Sequence, residues 1–129
     1  MAGNRFPVRA NAPSLWTAHG VFTGAGAAAN CTKTTGAVQG GIASVNYNAA
    51  TGKYRITFVD VGQQILQFRA TVGRADAAVP LFVFPVHSSF SRANKTLDIN
   101  VRTEAALTDL AATDQIQIEV DFTDLGPNT

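Results

Sequence analysis

The chain has 129 residues and a formal net charge of +1, and 46% of its residues are hydrophobic while only 15% are charged. That length fits a single domain that can bury a real core, and no apolar run is long enough for a membrane-spanning helix. The near-neutral charge also argues against a disordered polyelectrolyte and against a bulk nucleic-acid binder.

The first predicted element is an extended N-terminal arm over residues 1–16, which precedes a β-domain over 17–129. Pro7 and Pro13 interrupt regular hydrogen bonding in the arm. Because large apolar side chains need a surface to bury against, the arm is expected to dock on a partner or on the flank of its own domain. The candidate partner-binding residues are Arg5, Phe6, Val8, Arg9 and Trp16. The alternative is a frayed terminus in which Trp16 begins the first strand.

The β-domain is expected to open with a strand at residues 17–23. The small, flexible residues of 24–41 then predict a long loop or a wide hairpin. Residues 42–58 predict a β-hairpin, because two strand-like runs flank a turn at 48–52 in which Gly52 can adopt a positive φ. The second run, KYRITFVD, alternates apolar and polar residues with the period of a half-buried strand.

Residues 64–73 predict a further strand with one apolar face, formed by Leu66, Phe68, Ala70 and Val72. Residues 79–87 are an apolar run interrupted by Pro80 and Pro85. Since proline cannot donate to a sheet ladder, this run is expected to be an edge strand, a bulged strand, or a strand with its prolines at the ends.

The last third of the chain contains two more alternating segments, at residues 95–103 and 115–122. A loop is expected at 88–94, and 104–113 has room for one helical turn at most. These elements amount to about seven short strands without a convincing helix. The fold class is therefore predicted as all-β, a single antiparallel β-sandwich or barrel with an extended N-terminal arm.

The alternating positions also predict the core of this β-domain. The expected interior residues are Tyr54, Ile56, Phe58, Phe68, Ile99, Val101, Ile116, Ile118 and Val120. The aromatic residues Phe82, Phe84 and Phe122 are expected at core positions as well. The outward positions carry few Lys and Glu side chains, although edge strands usually use such charges to prevent unwanted pairing. A partner is therefore expected to cover some edge or face.

The charges of the chain are sorted along its length. Residues 1–50 carry three basic and no acidic side chains, residues 51–103 carry seven basic and three acidic ones, and residues 104–129 carry six acidic and no basic ones. A basic segment can pair with an acidic one within a subunit or between neighbouring subunits. The simpler alternative is a solvated acidic strand.

Few residues suggest catalysis. A triad would need His19 or His87 beside a nucleophile, and no Gly-x-Ser-x-Gly elbow occurs. His87 and Ser88 are adjacent, and adjacent residues on a strand point to opposite faces. Cys31 is the one cysteine and has no neighbouring base, so neither a disulfide nor a reactive thiol is expected. We therefore predict no enzymatic activity, with hydrolysis by His87 and Ser88 or by the C-terminal acidic residues as the rival hypothesis.

Metal and cofactor binding are not expected either. The histidines and the cysteine lack zinc-site spacing, and no phosphate-binding glycine motif is present. A calcium role is an alternative for the late acidic residues, although they match no known calcium loop. These residues are Asp109, Asp114, Glu119, Asp121 and Asp124. The N-terminal segment also lacks the apolar stretch of a signal peptide, so synthesis and folding in a reducing cytoplasm are expected.

Several strand segments resemble a group of small tailed-phage virion proteins of the head decoration, or cement, type. The similar segments are GVFT at 20–23, TGKYRITF at 51–58, QFRATV at 67–72 and IQIEV at 116–120. The resemblance covers residues 20–122 and carries no catalytic residue over.

The resemblance implies a non-enzymatic structural protein that binds the outside of a phage head and stabilises the shell. It implies the major capsid protein and other copies of the same chain, as a homotrimer, as partners, with neither nucleic acid nor membrane among them. The implied location is the virion. The alternatives are a receptor- or glycan-binding virion module that uses loops 24–41 and 88–94, and a structural component of the tail or neck.

Overall fold

The computed structural model describes residues 15–75 and 78–124, and these residues form an antiparallel β structure of eight strands. The strands are β1 (Trp16–Thr23), β2 (Thr32–Lys33), β3 (Ile42–Tyr47), β4 (Lys53–Phe58), β5 (Gln64–Gly73), β6 (Phe82–Pro85), β7 (Thr96–Arg102) and β8 (Gln115–Thr123). A 3₁₀ turn at His87–Ser89 is the one helical segment within the described ranges.

The strands form two four-stranded sheets, one in the order β2-β1-β8-β5 and the other in the order β3-β4-β7-β6. Apolar side chains from both sheets form one buried cluster between them. The predicted all-β antiparallel sandwich is thus confirmed. β1 begins at Trp16, one residue before the expected boundary of the β-domain.

The core follows from the alternation of apolar residues along the central strands. On β8, for example, Ile116, Ile118 and Val120 are almost fully buried while Gln115 and Gln117 between them are exposed. All nine predicted interior residues lie in the core or against it, although Phe68 on the edge strand β5 is only half-buried. Burial of a large apolar side chain contributes about 1.5–3 kcal/mol, so this cluster is the main source of stability.

The predicted hairpin is confirmed as β3 and β4, which pair from Ile42↔Phe58 to Tyr47↔Tyr54. Gly52 in the turn has a φ of +73°. A Cβ atom at this position would lie 2.5 Å from the carbonyl oxygen of Val101 and 2.8 Å from the backbone nitrogen of Thr108. Both the conformation and the close approach therefore require glycine here.

Of three local expectations, the one on Leu66 was wrong. Residues 24–41, expected as a long loop or a wide hairpin, contain β2, which pairs antiparallel with the end of β1 and extends the edge of the first sheet. Leu66 does not share the inner face of β5, because a bulge between Ile65 and Gln67 turns it outward, where it is 53% exposed. Residues 104–113 contain no helical turn, and Leu110 inserts into the core instead.

The sorted charges pair within the subunit. The guanidinium of Arg69 lies 3.0 Å from the carboxylate of Glu119 and 3.4 Å from that of Asp121. Arg74 lies 3.0 Å from Asp114 in the same way. The strand register explains these contacts, because β5 pairs with β8 and sets Arg69 directly opposite Glu119.

Candidate binding surface

The two sheets end side by side on one edge of the sandwich. β5 is the last strand of one sheet and β6 is the last strand of the other, and the two strands lie against each other. No strand in the described part of the chain pairs with the outer edge of either. We call this edge, formed by residues 64–75 and 78–85, the open side.

The open side carries most of the exposed large apolar residues. Six such residues are exposed among those described, and four of them lie on the open side: Leu66, Val79, Phe82 and Phe84. Val38 and Val59 are the other two. Single exposed apolar residues are common on any protein surface, whereas adjacent ones mark an interaction surface, and Phe82 and Phe84 share one face of one strand. The expectation that Phe82 and Phe84 belong to the core was therefore wrong.

The reason lies in the alternation along β6. Val83 points into the sandwich, so its neighbours Phe82 and Phe84 must point out of it, where they are 47% and 51% exposed. The sequence signal for this arrangement is the run of four apolar residues between Pro80 and Pro85. This run predicts an edge strand, but it does not show whether Val83 or the pair Phe82 and Phe84 faces the core.

The two phenylalanines line a shallow groove with side chains from β7 and the loop that follows it. Phe82 lies opposite Arg102 in the strand register, and Phe84 lies opposite Asn100. Thr103 and Glu104 complete the lining. Side chains directly opposite each other on one face of a sheet are close enough to touch a common ligand or partner. We call these six residues the aromatic groove.

Two charged side chains of the aromatic groove belong to the larger set of described charged residues that form no ion pair. Arg55, Arg69 and Arg74 each form an ion pair with a carboxylate. Arg102 makes a 3.2 Å hydrogen bond from Nε to the carbonyl oxygen of Thr103, and neither it nor Glu104 has an ion-pair partner among the described residues. The groove thus combines two exposed rings with one positive and one negative side chain, neither of which forms an ion pair in the described structure.

Backbone hydrogen bonding at the open edge of β6 is limited by Pro85. The N–H of Val86 donates to the carbonyl oxygen of Asp98 across the ladder. Because an antiparallel strand alternates the direction of its N–H groups, the backbone nitrogens of Val83 and Pro85 face outward. Proline has no N–H, so the outer edge of β6 offers a partner the single N–H of Val83.

The predicted arm residues Arg5, Phe6, Val8 and Arg9 lie outside the described residues. Their role in binding a partner remains a prediction. The structure places Trp16 in β1, where its ring centroid lies 4.8 Å from that of Phe122 in the same subunit.

The candidate catalytic residues are not brought together. His87 and Ser88 are both exposed in the 3₁₀ turn, and the neighbouring Ser89 hydroxyl donates to the carbonyl oxygen of Val86. No hydrogen bond within the described ranges joins either histidine to a hydroxyl or thiol. Cys31 is buried, and its desolvation raises the pKa of the thiol from 9.0 to about 11, which suppresses the reactive thiolate.

The acidic residues considered for calcium have structural partners instead. The carboxylate of Asp109 accepts from the backbone N–H groups of Ala28 and Gly52, at 3.0 and 2.7 Å. Asp114 accepts from Arg74 and from the N–H of Ala111. No three metal-ligating side chains cluster in the described part of the chain. The calcium alternative is therefore unsupported by geometry.

The loop at 24–41, a candidate for ligand binding, is fastened to the domain at several points. The side chain of Gln39 donates to the carbonyl oxygen of Val21 and accepts from its N–H, as a paired strand would. Asn30 accepts from the N–H of Tyr47. The part of the loop nearest β1 thus covers the edge of that strand and offers no apolar groove.

Comparison with known proteins adds no relative. No family model, curated protein or solved structure matches this chain. Within the described residues no helix is long and apolar enough to cross a membrane. The aromatic groove on the open side remains the surface that the geometry itself distinguishes.

Proposed function

We propose that this chain is a structural virion protein that decorates the outside of a tailed-phage head and stabilises the shell. The observation that carries the proposal is the open side, where the edge strand β6 exposes the rings of Phe82 and Phe84 on one face and no described strand pairs with its outer edge. Such a surface suits association with other protein chains. The resemblance of the strand segments to head decoration proteins suggests that the assembly is a phage head.

The buried polar groups of the sandwich fit a rigid scaffold for binding. The buried carboxylate of Asp114 and the partly buried one of Asp109 hold loops in place through backbone N–H groups, and the buried thiol of Cys31 is protected from reaction. A rigid sandwich of this type keeps its shape while many copies attach to a repeating lattice. Linked or oligomeric copies bind such a lattice more tightly than one copy does, without any new contact.

The N-terminal arm is proposed as the segment that contacts the shell. Arg5 and Arg9 would pair with carboxylates of the major capsid protein, and Phe6 and Val8 would fill apolar hollows between capsid subunits. This assignment separates shell binding from the open side of the sandwich.

The test is to locate the protein on purified virions of the phage that encodes it. Virions that carry a gold-labelled antibody against the chain would be examined by electron microscopy, and we expect label distributed over the head. Label confined to the tail or neck, or its absence from the virion, would overturn the proposal. Binding of the purified protein to undecorated heads, measured by co-sedimentation, provides an independent readout.

A further inference from the structure

We propose that the aromatic groove is the contact between copies of this chain, with Arg102 of one copy paired to Glu104 of the next. This inference deepens the proposed function by naming the partner of the open side, and it rests on that function only for its biological purpose. The partner it names is a second copy, and the shell would be contacted elsewhere.

The apolar part of the groove provides the attraction. Phe82 and Phe84 are both about half exposed and project from the same face of β6. Aromatic side chains and arginine are enriched at the centres of protein interfaces, where their large area is removed from water. Association of two grooves would bury the rings of both copies against each other.

The charges decide between a second copy and an unrelated partner. Arg102 and Glu104 line the same groove, and neither has an ion-pair partner among the described residues. A surface that carries one free charge of each sign is complementary to itself, because rotation about a symmetry axis brings the positive side chain of one copy opposite the negative one of the next. An acidic shell surface would match Arg102 but would place its own carboxylates against Glu104.

The backbone at this edge fits the same arrangement. Because Pro85 leaves Val83 as the only outward N–H of β6, a neighbour cannot extend the sheet by regular strand pairing there. Association at this edge must therefore depend on side chains, and the side chains available are those of the aromatic groove.

The experiment uses charge reversal in the purified full-length protein, without capsids. The oligomeric mass of wild type, R102E, E104R and the double variant R102E/E104R would be measured by analytical ultracentrifugation over a concentration series. We expect each single variant to dissociate with a Kd raised roughly tenfold or more, and the double variant to recover most of the wild-type affinity.

Matched controls separate this pairing from a general effect of charge. K33E changes the net charge as R102E does, and Lys33 is exposed on β2 at the far edge of its sheet. D124R changes it as E104R does, at an exposed residue after β8. Both controls should keep the wild-type mass. Circular dichroism and thermal unfolding would verify that all variants remain folded.

Mixing the two single variants identifies the symmetry of the contact. In a two-fold dimer, R102E and E104R complement each other at both ion pairs, so the mixture should associate although neither variant does alone. In a three-membered ring at least one interface stays mismatched, so only the double variant should recover. Either result supports the proposal, since both require Arg102 and Glu104 to meet across copies.

The proposal would be overturned by a wild-type protein that stays monomeric at all concentrations, or by single variants that associate as wild type does. A double variant that stays as weak as the single ones would also overturn it. These outcomes are independent of the head-binding test. A protein that self-associates but leaves heads undecorated would refute only the proposed function, and a monomer that decorates heads would refute only this inference.

Discussion

At the scale of single residues, Cys31 is expected to be inert in the folded protein. Burial raises the pKa of its thiol to about 11, so the thiolate is scarce near neutral pH. A thiol reagent such as a chromogenic disulfide should label it slowly in native buffer and rapidly in denaturant. Labelling at equal rates in both conditions would show that the side chain is accessible and would contradict its placement.

Tyr54 has a structural hydrogen bond that can be removed alone. Its hydroxyl oxygen accepts from the backbone N–H of Leu110 at 2.8 Å in the core. The Y54F variant leaves that N–H without a partner, so the free energy of unfolding should fall by about 1–3 kcal/mol. Urea denaturation measures the change. Y47F is the matched control, because Tyr47 is only half-buried and its hydroxyl has no comparable bond among the described residues.

Both groups also predict a loss of stability at alkaline pH. Burial raises the pKa of Cys31 from 9.0 to about 11 and that of Tyr54 from 10.0 to about 12. A raised folded-state pKa gives a contribution that is complete below the unfolded value and is lost as the pH rises towards the folded value. The urea midpoint should therefore fall between pH 9.0 and about 11 as Cys31 ionises, and between pH 10.0 and about 12 as Tyr54 ionises. The fall should be less steep in C31A over the first range and in Y54F over the second. A midpoint that stays constant there would contradict the assignment.

At the scale of secondary-structure elements, the ion pairs are expected to differ in importance. Arg74 lies at the end of β5 and holds Asp114, whose side chain is 3% exposed. Removal of one partner of a buried pair leaves a charge without compensation, so R74A should cost about 3 kcal/mol. R55A breaks the pair between Arg55 and Asp98, which is exposed, and should cost about 0–1 kcal/mol. Equal losses in the two variants would show that burial does not set the difference.

The strands could be predicted where apolar and polar residues alternate with a period of two. β4, β7 and β8 alternate cleanly, and the core residues such as Ile56, Ile99 and Ile118 follow from that alternation. The bulge at Leu66 was not predictable, because one extra residue reverses the faces of a strand without changing its composition. The prediction of which face of β6 points into the core was wrong for a related reason. Every residue of that strand is apolar, so the sequence does not tell its two faces apart.

The loops were less predictable because long-range hydrogen bonds shape them. Asp109 joins the turn at Gly52 to the loop at Ala28, which are far apart in sequence. The side-chain amide of Gln39 forms two hydrogen bonds with the backbone of Val21, as a neighbouring strand would. No local pattern identifies such pairings in advance. The candidate site had the same limit, since the pairing of β6 with β7, and not a local sequence pattern, sets Phe82 opposite Arg102 and Phe84 opposite Asn100.

At the scale of the whole molecule, the arm and the sandwich should be separable. Residues 1–14 can be deleted without removing Trp16, whose ring packs on Phe122. We expect this deletion to lower occupancy of undecorated heads in a co-sedimentation assay while the thermal midpoint and the oligomeric mass stay unchanged. Unchanged occupancy would refute the proposed role of Arg5, Phe6, Val8 and Arg9.

Self-association should depend on salt only modestly. Most arginine–carboxylate pairs that the structure describes lie within one subunit, so they do not link copies. The proposed contact adds Arg102 and Glu104 to an apolar centre, and salt screens only the charged part. The dissociation constant should therefore rise slightly with ionic strength and strongly in F82S/F84S, with V38S as the control. A large salt effect would indicate that charge dominates the contact.

Pro85 has a consequence for how the protein tolerates crowding. A shell protein is made in many copies, and an exposed strand with free N–H groups would let those copies polymerise into fibrils before they reach their target. On β6 a single available N–H disfavours such growth. Pro85 therefore limits edge-to-edge pairing along this strand, which would help any protein that accumulates to a high concentration.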